Sequence, residues 1–143
     1  MSKISDVSQA YVFSKSTDGE LYIARNFQVK EFACSDGSDV VIVHPFLPYI
    51  CQLIRNKFNM PFTPNSAYRT VTHNKAIGGV SKSNHIYGRA VDIPAKNGVT
   101  PKQLYDYINT IFGNWGEIGL YSWGIHVGIQ DKKERFIDSS YRG

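Results

Sequence analysis

The chain has 143 residues, 42% of them hydrophobic and 20% charged, enough for one core without disulfide or metal staples and too few for two independently stable domains. No run approaches the ~18 apolar residues of a spanning helix, no repeat or low-complexity stretch is detectable, and Met1-Ser2-Lys3-Ile4-Ser5-Asp6 lacks the apolar run of a secretory signal. The expectation is one domain over 1–143, monomeric, made in the cytoplasm. The net charge of +4 favours anionic partners. The basic cluster near the end, Lys132, Lys133 and Arg135, encloses Glu134 without interleaved aromatics, so neither nucleic acid nor a membrane is expected as partner.

Residues 1–26 read as a peripheral segment. Its short apolar runs Tyr11-Val12-Phe13 and Leu21-Tyr22-Ile23-Ala24 suit a hairpin around Asp18-Gly19. From Pro45 to Phe58, Leu47, Ile50, Cys51, Ile54 and Phe58 recur at helical spacing, which predicts a core helix with Arg55 and Lys57 facing water. His44, just before it, reads as a surface or capping residue. Cys51 lies on the apolar stripe and reads as a small buried hydrophobe. Two cysteines without Cys-x-x-Cys spacing say little about a disulfide or a metal, and Cys34 stays open.

His73 is ambiguous between shaping a cleft and bonding to backbone, and Gly78-Gly79 permits a backbone turn. Thr100-Pro101-Lys102-Gln103 reads as a helix start, with Thr100 as cap, Pro101 at the first position and Gln103 closing a capping box. That helix should end near Gly113 and bury Leu104, Ile108, Ile111 and Phe112. Two strands follow, Glu117 to Tyr121 and Gly124 to Gln130, antiparallel across a Ser122-Trp123 turn. Residues 131–143 read as a tail.

The chemistry concentrates in Ser83-Asn84-His85-Ile86-Tyr87-Gly88-Arg89-Ala90-Val91-Asp92 and in His126. Two imidazoles and a carboxylate make a three-ligand set for zinc and leave a fourth position for a water. Alternation sets Asp92 opposite Val91 and Ile93, and His126 opposite Ile125 and Val127, so both should face one cleft. Gly88 allows a close backbone approach between His85 and the strand carrying Asp92. Each residue alone has a plainer reading, a solvated histidine or an aspartate paired with arginine. There is no His-Glu-x-x-His.

Asn65-Ser66-Ala67-Tyr68-Arg69-Thr70, His73-Asn74-Lys75-Ala76-Ile77-Gly78-Gly79-Val80 and the Ser83 to Asp92 segment occur in this order. Together they resemble the zinc D-Ala-D-Ala carboxypeptidase and L,D-endopeptidase family of cell-wall peptidases, whose fold is shared with the hedgehog signalling domain, and most closely its compact phage-encoded members. The resemblance runs from about Phe27 to about Gln130. It implies an α+β domain with a small antiparallel sheet, flanking helices and a zinc cleft. It also implies His85, Asp92 and His126 as zinc ligands, Arg69 as the group that binds substrate and stabilises the oxyanion, Ser83 in support of the first ligand, and a peptidoglycan peptide as substrate, reached after release or lysis. Trp123, three residues before His126, is expected to line the cleft and contact substrate.

The chain departs from that family in one respect. Active members usually carry an acidic general base three residues before the third ligand, where this chain has Trp123, or an aspartate two residues after it, where this chain has Gly128. Glu117 and Asp131 are the nearest acids on either side. Two readings follow: a peptidase with a relocated base, or a binding module that keeps the metal and recognises wall peptides or a protein partner without hydrolysis.

Overall fold

The computed structural model describes residues 10–142, so the reading of Met1 to Asp6 lies outside it. The architecture is α+β. A four-stranded sheet in the order β5 (Ala90–Pro94), β7 (Gly124–Gly128), β6 (Glu117–Leu120), β8 (Glu134–Ile137) carries the site. Two small ribbons flank it: β1 (Tyr11–Ser14) with β4 (Val40–Val43), and β2 (Tyr22–Ala24) with β3 (Phe27–Gln28). Helices α2 (Phe46–Phe58) and α4 (Pro101–Phe112) are long, whereas α1 (Lys15–Asp18) and α3 (Val71–Ala76) are short.

The long helices form where local signals agree. Thr100 Oγ1 accepts from the Gln103 amide at 3.1 Å and the Gln103 side chain accepts from the Thr100 amide at 2.8 Å, the reciprocal box expected, and the helix stops at Gly113. Such a cap stabilises a helix by about 1 kcal/mol. Before α2, His44 Nδ1 accepts from the Phe46 amide at 3.1 Å. His44 is therefore a cap, and at 2% exposure it is not a surface residue. Leu47, Ile50, Cys51 and Ile54 of α2 and Leu104, Ile108 and Phe112 of α4 meet Val91, Ile93, Ile118, Leu120, Ile125 and Val127 of the sheet in one core. Burying a side chain of this size contributes roughly 1.5–3 kcal/mol.

The ends of the chain depart from the sequence reading. No hairpin forms around Asp18-Gly19: Asp18 Oδ2 accepts from the Ser14 amide and closes α1, with Gly19 at φ −53°, whereas a tight hairpin turn needs positive φ. β1 pairs instead with β4, whose Val40, Val41, Ile42 and Val43 are all β-branched. The segment read as a tail contains β8, which joins β6 in parallel and makes the sheet mixed rather than antiparallel. The Arg135 guanidinium anchors it, donating to Asn109 Oδ1 and the Gly116 carbonyl, both at 2.6 Å. Cys34 and Cys51 are both buried, free thiols.

Candidate functional site

The sheet has an apolar face on the helices and a polar face on a cleft of about 720 Å³. Register explains the cleft's content. Asp92, His126, Gly119 and Phe136 form one row across β5, β7, β6 and β8, and Ala90, Gly128, Glu117 and Glu134 form the next. Period-two alternation places both rows on the face away from the core.

His85 comes from the 3-10 turn Asn84–Tyr87 at the edge of β5. Ser83 Oγ accepts from the His85 amide at 3.2 Å and so caps that turn. Gly88 ends it at φ +69°, and a Cβ there would stand 2.3 Å from the Ile42 carbonyl oxygen. The expected close approach thus exists, against β4 rather than β5. His85 is 2% exposed, Asp92 8% and His126 9%.

Hydrogen-bond partners assign the tautomers. His85 Nδ1 lies 2.6 Å from the Ala67 carbonyl oxygen, which only accepts, so Nδ1 carries the proton and donates. His126 Nε2 lies 2.6 Å from Glu117 Oε1 and donates to that carboxylate. The remaining ring nitrogens, His85 Nε2 and His126 Nδ1, stand 3.2 Å and 2.9 Å from the same oxygen, Asp92 Oδ1. In neutral imidazoles these are lone pairs facing a third acceptor. Such a cluster needs a cation between its members, either added protons or a metal, and the three donors lie within 4.8 Å of one another. The donor set fits zinc, and each imidazole has the outer hydrogen bond that fixes a metal-binding histidine.

Without a metal the protons respond to the same crowding. Burial alone would raise the Asp92 carboxyl, but hydrogen bonds from His126 and His85 outweigh it and hold the group well below the usual carboxylate range. Burial would lower His126, yet its bonds to Asp92 and Glu117 raise it to about 9. Glu117 is likewise held low: the His126 bond, its charge and the Asn84 amide outweigh burial.

Arg69 enters the cleft beside this cluster. Its Nη2 donates to Asp92 Oδ2 at 3.4 Å, Nε to Ser66 Oγ at 3.1 Å and Nη1 to Asn74 Oδ1 at 3.2 Å. Asn74 is buried and donates onward to the Val80 carbonyl. Trp123 lines the cleft at 37% exposure, stacked on Tyr121 with ring centroids 4.9 Å apart.

Arg69, Ser83, His85, Asp92, Trp123 and His126 therefore line one cleft. Of the two acids proposed as nearest, Glu117 reaches the cleft and Asp131 does not line it. Glu117 fits because Gly128 stands opposite it: a Cβ on Gly128 would lie 2.4 Å from Glu117 Oε1. The carboxylate on β6 occupies the space that a side chain at position 128 would need. Reasoning from sequence missed Asn74, Asn84 and Tyr121. Asn84 Nδ2 donates to Glu117 Oε1 and Gln130 Oε1, and only the folded register discloses that role. His73 lies outside the cleft lining, which corrects the cleft-shaping reading, and its Nε2 stands 3.1 Å from a side-chain hydroxyl, Ser35 Oγ, rather than from the backbone group of the other reading.

A family model described as Peptidase M15 matches residues 25–128. No curated protein matches the chain.

Proposed function

We propose, from the premise that this chain belongs to the peptidase M15 family, that it is a zinc-dependent hydrolase of a peptide bond in bacterial peptidoglycan, one involving a D-amino acid. Family membership makes it a metallopeptidase. The observation that carries the proposal is the convergence of His85 Nε2, Asp92 Oδ1 and His126 Nδ1 in one buried cluster beside Arg69. His85, Asp92 and His126 would hold the zinc, which when bound would supply Lewis-acid polarisation of a carbonyl and a water acidified to a pKa of about 7.

The chain's own residues do the rest. Ala67 and Glu117 fix the two imidazoles so that their free nitrogens point at Asp92. Arg69, braced by Ser66 and Asn74, presents a planar guanidinium to a substrate carboxylate or to the oxygen on which charge develops. The Tyr121–Trp123 stack forms an apolar wall for the peptide. Ser83 acts through the turn it caps, by holding His85 in place. Glu117 is a positioning residue, since its Oε1 is engaged by His126 and by Asn84. The net charge of +4 suits an anionic wall. Among the described residues no helix is long and apolar enough to cross a membrane, so action on the wall from solution is in keeping with this reading.

The engagement of Glu117 also favours the second reading, a wall-binding module without hydrolysis, because no free acid stands at positions 123 or 128. One experiment separates them. The zinc-loaded protein is incubated with purified peptidoglycan, with and without chelator, and released fragments are identified by mass spectrometry. Chelator-sensitive fragments are expected and would name the bond. Zinc-dependent sedimentation with the wall and no fragments would replace the peptidase with the binding module. His85→Ala should empty the cleft of zinc and abolish fragment release together.

A further inference from the structure

Among the described residues a second group of side chains has the donors of a metal site, separate from the cleft cluster and outside the cleft lining. Cys34, Asp36 and His73 each offer one ligand atom, all within 4.8 Å of one another. The group is assembled from two distant pieces of chain. Cys34 follows the 3-10 turn Val29–Phe32, and the Gly37 amide bonds back to the Cys34 carbonyl at 3.4 Å, folding Asp36 over it. His73 sits in the first turn of α3.

Asp36 and α3 are tied through one hydroxyl. Thr70 Oγ1 donates to Asp36 Oδ2 at 2.7 Å and accepts from the His73 amide at 3.1 Å, while Asp36 Oδ1 accepts from the Ser38 amide at 2.8 Å. The carboxylate is thus held, and the first turn of α3 fixed beside it, before any ion arrives. The two cysteines differ in their surroundings. Cys51 is embedded in the apolar core. Cys34 is just as buried, at 2% exposure, but lies outside that core and directs its thiol to the Asp36 carboxylate. A buried thiol facing an acid and an imidazole has the chemistry of a ligand rather than of a hydrophobe.

We propose that Cys34, Asp36 and His73 form a second metal site, taking a borderline divalent cation such as zinc. Sulfur, nitrogen and oxygen together select this class over magnesium or calcium. A tetrahedral ion at about 2.3 Å from sulfur and 2.0–2.2 Å from nitrogen and oxygen draws the donors slightly closer than they now stand, and exposed Asp36 and half-buried His73 have the freedom to turn. On binding, the Cys34 thiol loses its proton to solvent and the thiolate takes the metal. Ser35 Oγ, 3.1 Å from His73 Nε2, or a water completes the shell. The ion clamps the 34–38 loop onto α3, which carries the Asn74 that braces Arg69. The site is structural and acts on the cleft through that brace.

The test uses cobalt(II) added to the metal-free full chain. Cobalt bound by a thiolate shows a sulfur-to-metal charge-transfer band in the near ultraviolet, and the cleft cluster contains no sulfur. The expected result is that band in the wild type, undiminished in His85→Ala and absent from His73→Ala, with zinc content falling from two equivalents to one in each variant. His73→Ala keeps the backbone amide that Thr70 caps, so its fold is not at risk as that of a Cys34 variant would be. No band at saturating cobalt, or a band that survives His73→Ala, overturns the proposal. A cleft that fails to hold metal leaves the band untouched, so the two sites fail separately.

Discussion

Asp92 and Asp39 are both carboxylates that gather several donors, and the contrast between them separates a reactive site from a structural tie. Asp39 is exposed and joins β1 to the loop before β4: Oδ2 accepts from Ser14 Oγ at 2.6 Å and Oδ1 from the Ser16 amide at 2.8 Å. Its donors are neutral and water can replace any of them. Asp92 is buried beside two imidazoles and a guanidinium. No water offsets the loss of a partner there, and charges interact strongly at low dielectric. Hydrogen bonding lowers both carboxyls from their ordinary value, but at Asp92 it does so against a desolvation that is the largest single influence, whereas at exposed Asp39 desolvation ranks below the hydrogen bonds. Perturbed groups of that kind cluster where chemistry is done.

Breaking the buried member should have the largest effect. Asp92→Asn is expected to empty the cleft of zinc and reduce fragment release to background, and to destabilise the metal-free protein by about 3 kcal/mol through the unpaired cations it leaves. Denaturant unfolding in chelator measures the latter, and a variant as stable as the wild type would make the network incidental. Arg69→Ala should leave zinc content unchanged while kcat/KM falls by about 100- to 1,000-fold. Unchanged kinetics would remove the guanidinium from the reaction.

Glu117→Gln sharpens the contrast, because it tests whether the neighbouring carboxylate orients or reacts. As a positioning residue its loss weakens zinc binding about 10- to 100-fold, with turnover recovered at saturating zinc. Turnover reduced about 100- to 10,000-fold at full zinc occupancy would instead make Glu117 the general base.

The smallest effect belongs to Asp39→Asn. The folded state depresses this carboxyl, so its contribution is present above the unfolded value of about 3.9 and fades as pH falls toward the folded one. The variant should be slightly less stable than the wild type at neutral pH and should converge with it in acid, as thermal melts across pH would record. A gap that persists in acid would mean that the charge is not its source.

How much of this was legible depended on the sequence distance over which each feature is decided. α2, α4 and the β6–β7 pair were readable because caps, periodicity and a short turn are local. The partners of β1 and β8 were not: β1 has Asp18-Gly19 nearby as a plausible turn, but Ser14 and Asp18 close a helical turn there and release the strand to β4. β8 looks like a charged tail until Arg135 finds Asn109 and the Gly116 carbonyl.

At the site, alternation alone placed Asp92 and His126 on the polar faces of their strands, and the motif around His85 supplied the third member. Identity, order and facing of these residues were written in the chain because period-two geometry is a property of the backbone. Their convergence was decided only by the tertiary structure: the β5–β7 register sets Asp92 against His126, Ala67 chooses the His85 tautomer, and the bare Cα of Gly128 admits Glu117 from the next strand. Which nitrogen carries a proton, and which carboxylate serves the histidine, depends on contacts of a few ångströms between distant segments, and those exist only once the sheet has closed.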